Sequence, residues 1–275
     1  MTQTRFGLIG HPIAHSLSPA LFRAGYDGRY PYDLIESAGF EDAYSRFLSD
    51  YQGINVTAPF KESAFAKADI LSEECEMIKA TNLLIKTPDG VKAYNSDYLG
   101  VRMWLEETAP RTSKESLKDI KVLIVGTGGA GKAAAIAAAS LGMNVTLINR
   151  DIAKAEAVAG NIARMQHAPD TSVHPLDCFR ECFREADIII YNIPTAIQEL
   201  TGITADDFGT DKPKFILEAN YKNPSFTKEL TDMMNEANPL AEYTSGKVWL
   251  LYQALTGYEI FTGEKPDLAS MSAVL

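Results

Sequence analysis

Residues 121–131, Lys-Val-Leu-Ile-Val-Gly-Thr-Gly-Gly-Ala-Gly, set an apolar run ahead of a glycine turn that opens an Ala-rich stretch. A strand feeding a helix in this way aims several backbone N–H groups at one point, which is how a helix N-terminus holds a pyrophosphate. Two nucleotide motifs overlap here. Gly126-x-x-x-x-Gly131-Lys132 matches a triphosphate-binding loop up to its last position, where Ala133 supplies no hydroxyl for magnesium. Gly126, Gly128 and Gly131 instead satisfy G-x-G-x-x-G, with Thr127, Gly129 and Ala130 between them. Their three tasks are a tight turn, close approach of backbone to phosphate, and close helix–strand packing. The bland alternative is a glycine turn without a ligand, and the surrounding strand–helix–strand pattern counts against it.

The second strand of that pattern ends at Asn149-Arg150. A cofactor with a free ribose meets Asp or Glu at this place, accepting from the 2′-hydroxyl. Here an amide and a cation suit a 2′-phosphate, and Lys154, one helical turn on, adds a second cation. NADP is therefore preferred to NAD. Asp151 is the discordant residue, since a carboxylate beside a phosphate is unfavourable unless it points away.

Three polar groupings precede this stretch. In Gly10-His-Pro-Ile-Ala-His-Ser16-Leu-Ser18-Pro19 two hydroxyls can converge on one small anion ahead of a helix. The competing reading is that Ser18 merely caps that helix before Pro19. In Asn55-Val-Thr57-Ala-Pro59-Phe-Lys61, Asn55 and Thr57 share a strand face and Lys61 follows a proline turn; alone, such a lysine is a solvated surface group. Further on come Asn82 and then Asn95-Ser-Asp97, where Asp97 could carry chemistry or be only an N-cap.

These groups need a scaffold, and the pattern predicts a two-domain α/β protein. Strands are expected at 5–10, 30–35 and 53–57, helices at 19–25, 41–49 and 61–68, and a hairpin around Pro88-Asp89-Gly90. A helix over 97–107 leads into a polar linker. A Rossmann-type cofactor domain then takes residues 102–246, with strands near 187–190 and 214–218 after the glycine-turn unit. The first domain takes 1–101 and is completed by 247–275, because the apolar helix 246–262 returns to close its core.

The 275 residues carry a net charge of −10, which argues against nucleic acid or an anionic membrane as partner. No apolar run approaches a membrane span, and no signal-peptide pattern opens the chain. Cys75, Cys178 and Cys182 read as thiols in a reducing cytoplasm rather than a metal site, so no metal is expected. A monomer or a homodimer is the expected assembly.

Taken together the groupings closely resemble the shikimate dehydrogenase family over essentially the whole chain. The recurring pattern S-x-S, N-V-T-x-P-F-K, a later Asn, N-x-D, G-x-G-G-A, N-R and a late Q-A stands here at Ser16/Ser18, Asn55 to Lys61, Asn82, Asn95/Asp97, Gly126 to Ala130, Asn149-Arg150 and Gln253-Ala254. The resemblance implies reversible NADPH-dependent reduction of 3-dehydroshikimate to shikimate, a small-molecule substrate. It implies that Ser16 and Ser18, assisted by Tyr221, bind the substrate carboxylate. Asn55, Thr57, Asn82, Asp97 and Gln253 would hold ring hydroxyls, and Lys61 and Asp97 would form the catalytic pair. The cofactor would meet residues 126–130, Asn149, Arg150, Lys154, Asn192, Ala219 and Gly246.

Departures from the family pattern lie on the cofactor side. Asp151 replaces a hydroxyl residue, Glu218-Ala219-Asn-Tyr221 replaces D-M-x-Y, and Asn192-Ile-Pro-Thr replaces an N-A-T-like loop. Trp249 stands where a smaller apolar residue is usual, either against the nicotinamide or as core. The alternatives are a quinate/shikimate dehydrogenase using NAD and a non-catalytic NADP(H)-sensing homologue. A two-lobed enzyme of this kind is expected to close its cleft over both ligands.

Overall fold

The computed structural model describes residues 3–275. The chain runs β1 (Phe6–Gly10), α1 (Ser18–Gly25), β2 (Tyr32–Glu36), α2 (Phe40–Asp50), β3 (Gly53–Val56), α3 (Lys61–Lys67), β4 (Ile70–Leu71) and α4 (Glu73–Ile78). It continues with β5 (Leu83–Thr87), β6 (Gly90–Tyr94), α5 (Ser96–Thr108), β7 (Lys121–Val125), α6 (Gly129–Ser140), β8 (Asn144–Ile148), α7 (Ile152–Ile162) and β9 (Thr171–His174). Then come α8 (Phe179–Glu185), β10 (Ile188–Tyr191), α9 (Gln198–Thr201), β11 (Lys214–Glu218), α10 (Lys228–Ala237), β12 (Ala241–Ser245), α11 (Gly246–Thr262) and α12 (Leu268–Ser272). These divide into two compact units, residues 1–100 with 250–275, and residues 101–249.

The first unit is built on a six-stranded sheet of order β2-β1-β3-β5-β6-β4. β1 pairs in parallel with β2 and β3, whereas β5 runs antiparallel to β3 and β6. β1 is buried along its whole length, as its unbroken run Phe-Gly-Leu-Ile-Gly requires of a central parallel strand. On one face Phe6, Phe22, Tyr258 and Phe261 pack together, with Leu251 and Met271 alongside. That cluster draws the end of α11 into this unit. The helices α5 and α11 meet with almost no clearance, since a Cβ on Gly100 would stand 2.5 Å from the Gln253 nitrogen. Any side chain at position 100 would drive the two helices apart.

The second unit is a fully parallel sheet of order β12-β11-β10-β7-β8-β9. Strand order reverses between β7 and β10, and in open sheets of this kind ligands bind beyond the carboxyl ends of the strands at that reversal. α6 carries Ala at seven of its twelve positions and is mostly buried; small side chains let it lie close on the sheet. Buried Lys214 donates from Nζ to the carbonyls of Phe183 (2.7 Å) and Ala186 (2.6 Å), closing the end of α8. Burial pulls its pKa down to about 8.

Candidate active site

In the first unit the carboxyl ends of β1 and β3 bring the three polar groupings together with α5 and α11. Lys61 opens α3 and Asp97 is the second residue of α5. Their side chains form an ion pair, Lys61 Nζ to Asp97 Oδ2 at 2.5 Å, with 26% and 19% of the two side chains exposed. This is neither a solvated surface lysine nor a capping aspartate. Asn95 does the capping instead, accepting from the Tyr98 nitrogen at 3.1 Å, while its amide donates to the Ala80 carbonyl at 3.1 Å.

Around this pair the amide side chains are tied to one another. Asn55 Oδ1 accepts from the Tyr32 hydroxyl at 2.7 Å, and Asn55 Nδ2 donates to the Asn82 carbonyl at 3.4 Å. Asn82 Oδ1 accepts from the Ser96 nitrogen at 2.7 Å, and the Ser96 hydroxyl stands 3.0 Å from Gln253 Oε1. Asn55 Nδ2 and Gln253 Nε2, the latter donating to the Leu250 carbonyl at 3.1 Å, each keep a second N–H, and the Asn82 amide nitrogen keeps its N–H groups. Thr57 follows β3 at the same end and is half-buried.

Ser16 and Ser18 adjoin, with Ser16 Oγ donating to Ser18 Oγ at 3.1 Å. Leu17 occupies the N-cap of α1 and no side chain caps it, so the capping reading of Ser18 does not hold. The Tyr258 hydroxyl donates to the Ser18 carbonyl at 3.1 Å. Burial pushes the pKa of both Tyr32 and Tyr258 well up, with Ser18 beside each hydroxyl, so both remain neutral donors. Tyr32, Ser96 and Tyr258 were not singled out in the sequence. A tyrosine after Pro31 in an apolar strand looks like core, and only the fold brings its hydroxyl to Asn55.

In the second unit Gly126 leaves β7 with φ +88°, a conformation that L side chains rarely adopt. A Cβ on Gly131 would stand 1.9 Å from the Gly126 carbonyl oxygen, whereas one on Gly128 or Gly129 meets nothing within 4 Å. α6 therefore begins with no side-chain cap at Gly128, and Gly128 and Gly129 are both exposed. Asn192 follows β10 at the strand reversal. Thr127 Oγ1 and Asn192 Oδ1 are buried polar atoms without a partner among the described residues. Bare amides, absent Cβ atoms and two orphaned oxygens fit a dinucleotide.

Half-buried Asn149 and exposed Arg150 follow β8. Asp151 caps α7, accepting from the Lys154 nitrogen at 3.4 Å, and its other oxygen lies 3.4 Å from Lys154 Nζ. The carboxylate that looked discordant is thus engaged by its own helix. Ala219 and Tyr221 lie on the segment after β11, and Gly246 opens α11 against the Glu218 and Ala219 carbonyls. Trp249 is buried, as its reading as core requires. Tyr221 belongs to the second unit and the two serines to the first. Among the described residues no group of three or more His, Cys, Asp or Glu could hold a metal ion.

Known proteins resemble this chain over nearly its whole length. Residues 8–84 match the family model described as shikimate dehydrogenase substrate binding domain, and residues 107–203 match shikimate / quinate 5-dehydrogenase. A protein of Haloarcula marismortui named shikimate dehydrogenase (NADP(+)) is 31% identical over 98% of this chain and 97% of its own. The shikimate 5-dehydrogenase of Thermus thermophilus, solved with NADP(H) and shikimate, superposes with a TM-score of 0.78 at 25% identity, covering 99% of this chain and 98% of that one. A quinate dehydrogenase of Corynebacterium glutamicum, solved with NAD, gives 0.82 at 22% identity over 99% and 98%, a likeness of fold alone. This chain belongs to the shikimate dehydrogenase family.

Proposed function

We propose that this protein catalyses the reversible NADPH-dependent reduction of 3-dehydroshikimate to shikimate, a step toward chorismate and the aromatic amino acids. The observation that carries this reading is the Lys61–Asp97 ion pair among the oriented amides of Asn55, Asn82 and Gln253. NADPH would supply the hydride; the turn 126–130 and Asn192 would hold it, Asn149, Arg150 and Lys154 would meet its 2′-phosphate, and Ala219 and Gly246 would lie on its nicotinamide side. Ser16 and Ser18 take the substrate carboxylate with help from Tyr221.

Asn55, Thr57, Asn82, Gln253 and Asp97 hold the ring hydroxyls and so fix the reacting carbonyl beside Lys61. Reduction leaves charge on that oxygen, and the lysine ammonium stabilises it and delivers a proton from Nζ. Asp97 holds the ammonium in place, and in the oxidative direction the pair receives the proton back. The reading places the enzyme in a reducing cytoplasm as a monomer or homodimer.

The test is oxidation of shikimate and of quinate, each with NADP⁺ and NAD⁺, followed by the absorbance of the reduced nicotinamide. The highest kcat/KM is expected for shikimate with NADP⁺. Equal or higher efficiency for quinate with NAD⁺ would favour the quinate reading, which Arg150 and the paired serines oppose. No turnover in any combination would make the protein a non-catalytic NADP(H) binder.

A further inference from the structure

Glu218 is a carboxylate that the proposed chemistry leaves unused. It ends β11 with no exposed surface. One oxygen accepts from the Ser225 nitrogen at 2.5 Å, and the other from the Phe226 nitrogen at 3.2 Å and the Tyr243 hydroxyl at 2.9 Å. All three donors are neutral. A carboxylate removed from water is tolerated only when its lone pairs are filled, so these bonds are not incidental.

The donors reveal what is being held. The chain leaves the sheet after Glu218, runs without regular structure through 219–224, and turns back inward at Ser225 and Phe226. The carboxylate therefore bridges the two ends of this excursion. The Phe226 ring packs against Tyr191 and Tyr243, each at 5.7 Å between centroids, and the Ala219 nitrogen donates to the Tyr191 carbonyl at 2.9 Å. Further out, Asn220 Nδ2 donates to the carbonyls of Pro194 (2.8 Å) and Asn223 (2.7 Å). Burial and the adjacent carboxylate push the Tyr243 pKa well up, so its hydroxyl stays a donor. Ala219 and Tyr221 ride on the segment so fixed.

We propose that Glu218 is a positioning residue whose buried carboxylate clamps the neck of segment 219–226, so that Tyr221 is presented to the substrate and Ala219 to the cofactor. The proposal rests on the reading of Tyr221 given above. The acid is required because a carboxylate accepts at both oxygens, while an amide of the same size has one acceptor and turns an NH₂ toward a backbone N–H. Glu218→Gln therefore opens the neck without creating a cavity.

The experiment measures amide hydrogen exchange, shikimate kcat and KM, and NADP⁺ Kd on full-length Glu218→Gln. Exchange at Ser225 and Phe226 is expected to rise by about tenfold or more, and KM by roughly tenfold, with kcat changing by less than about threefold. Tyr243→Phe keeps the acid and removes one donor; it should show the same pattern more weakly and serves if the Gln variant does not fold. In a Tyr221→Phe background Glu218→Gln should raise KM little further, because both changes act through one side chain. Unchanged exchange at Ser225 and Phe226 overturns the clamp. So does raised exchange with unmoved KM if Tyr221→Phe by itself raises KM. If Tyr221→Phe leaves KM unmoved, it is the reading of Tyr221 that fails, and raised exchange with a raised NADP⁺ Kd supports the clamp through Ala219.

Discussion

Around Lys61 the first unit gathers side chains that orient one another, whereas beyond β7 the second unit gathers backbone amides and bare Cα atoms. In the first, Tyr32 sets Asn55 and Ser96 sets Asn82 and Gln253. In the second, Gly131 lets α6 approach Gly126, and Gly128 leaves the helix end uncovered. The difference follows from the ligand chemistry assigned to each. Ring hydroxyls differ only in position, so reading them takes fixed donors from several elements. A pyrophosphate needs charge-complementary N–H groups, which any helix start offers if no side chain covers it.

Glycine substitutions would break this contrast most sharply. Gly131→Ala places a methyl 1.9 Å from a carbonyl oxygen, and overpacking of this kind costs about 1–3 kcal/mol or more. Thermal denaturation should show a lowered Tm together with lost NADP⁺ binding. Gly128→Ala adds a methyl that meets no protein atom within 4 Å, so Tm should hold while NADP⁺ Kd, measured by titration calorimetry, rises by tens of fold. A fall in Tm for Gly128→Ala with unaltered Kd would place the dinucleotide elsewhere.

A smaller effect sharpens the cofactor side. Arg150→Ala should reduce the preference for NADP⁺ over NAD⁺ by about tenfold, the worth of one exposed charge-assisted contact. kcat/KM with each cofactor measures it, and an unchanged ratio would remove Arg150 from the 2′-phosphate.

A further effect concerns stability in the second unit. The Lys214 pKa lies at about 8 in the folded chain, below the ordinary 10.5. The unfolded chain then binds more protons than the folded one between these values, so stability rises with pH across that window. Urea denaturation of the wild type against Lys214→Met should show the wild type gaining from pH 8 to pH 10, by an amount on the order of 1–3 kcal/mol. A flat difference would mean that the ammonium titrates normally in the fold.

Legibility in the sequence divides along the same line as the two sites. Gly126, Gly128 and Gly131 were readable because a backbone site is local, with its constraints spaced within six residues. Lys61, Asp97 and the amides were readable as a motif, but not how they are wired, since Tyr32 reaches Asn55 from another strand and Ser96 reaches Gln253 across 157 residues of sequence. Asp97 and Ser18 each looked able to serve as a cap, and only the positions of Asn95 and Leu17 decided otherwise. Among the elements, β12 went unread because Ala-Glu-Tyr-Thr-Ser is too polar to look like a buried parallel strand; it lies at the sheet edge. α4 went unread because its six residues are too few to show a period.

Replacement of Lys61 by methionine tests the central claim most directly. Steady-state oxidation of shikimate with NADP⁺ should show kcat reduced by about 10²–10⁴, with KM for shikimate within a few-fold of wild type because the carboxylate and hydroxyl contacts remain. Turnover close to wild type would contradict the account and remove the Lys61–Asp97 pair from the proton transfer.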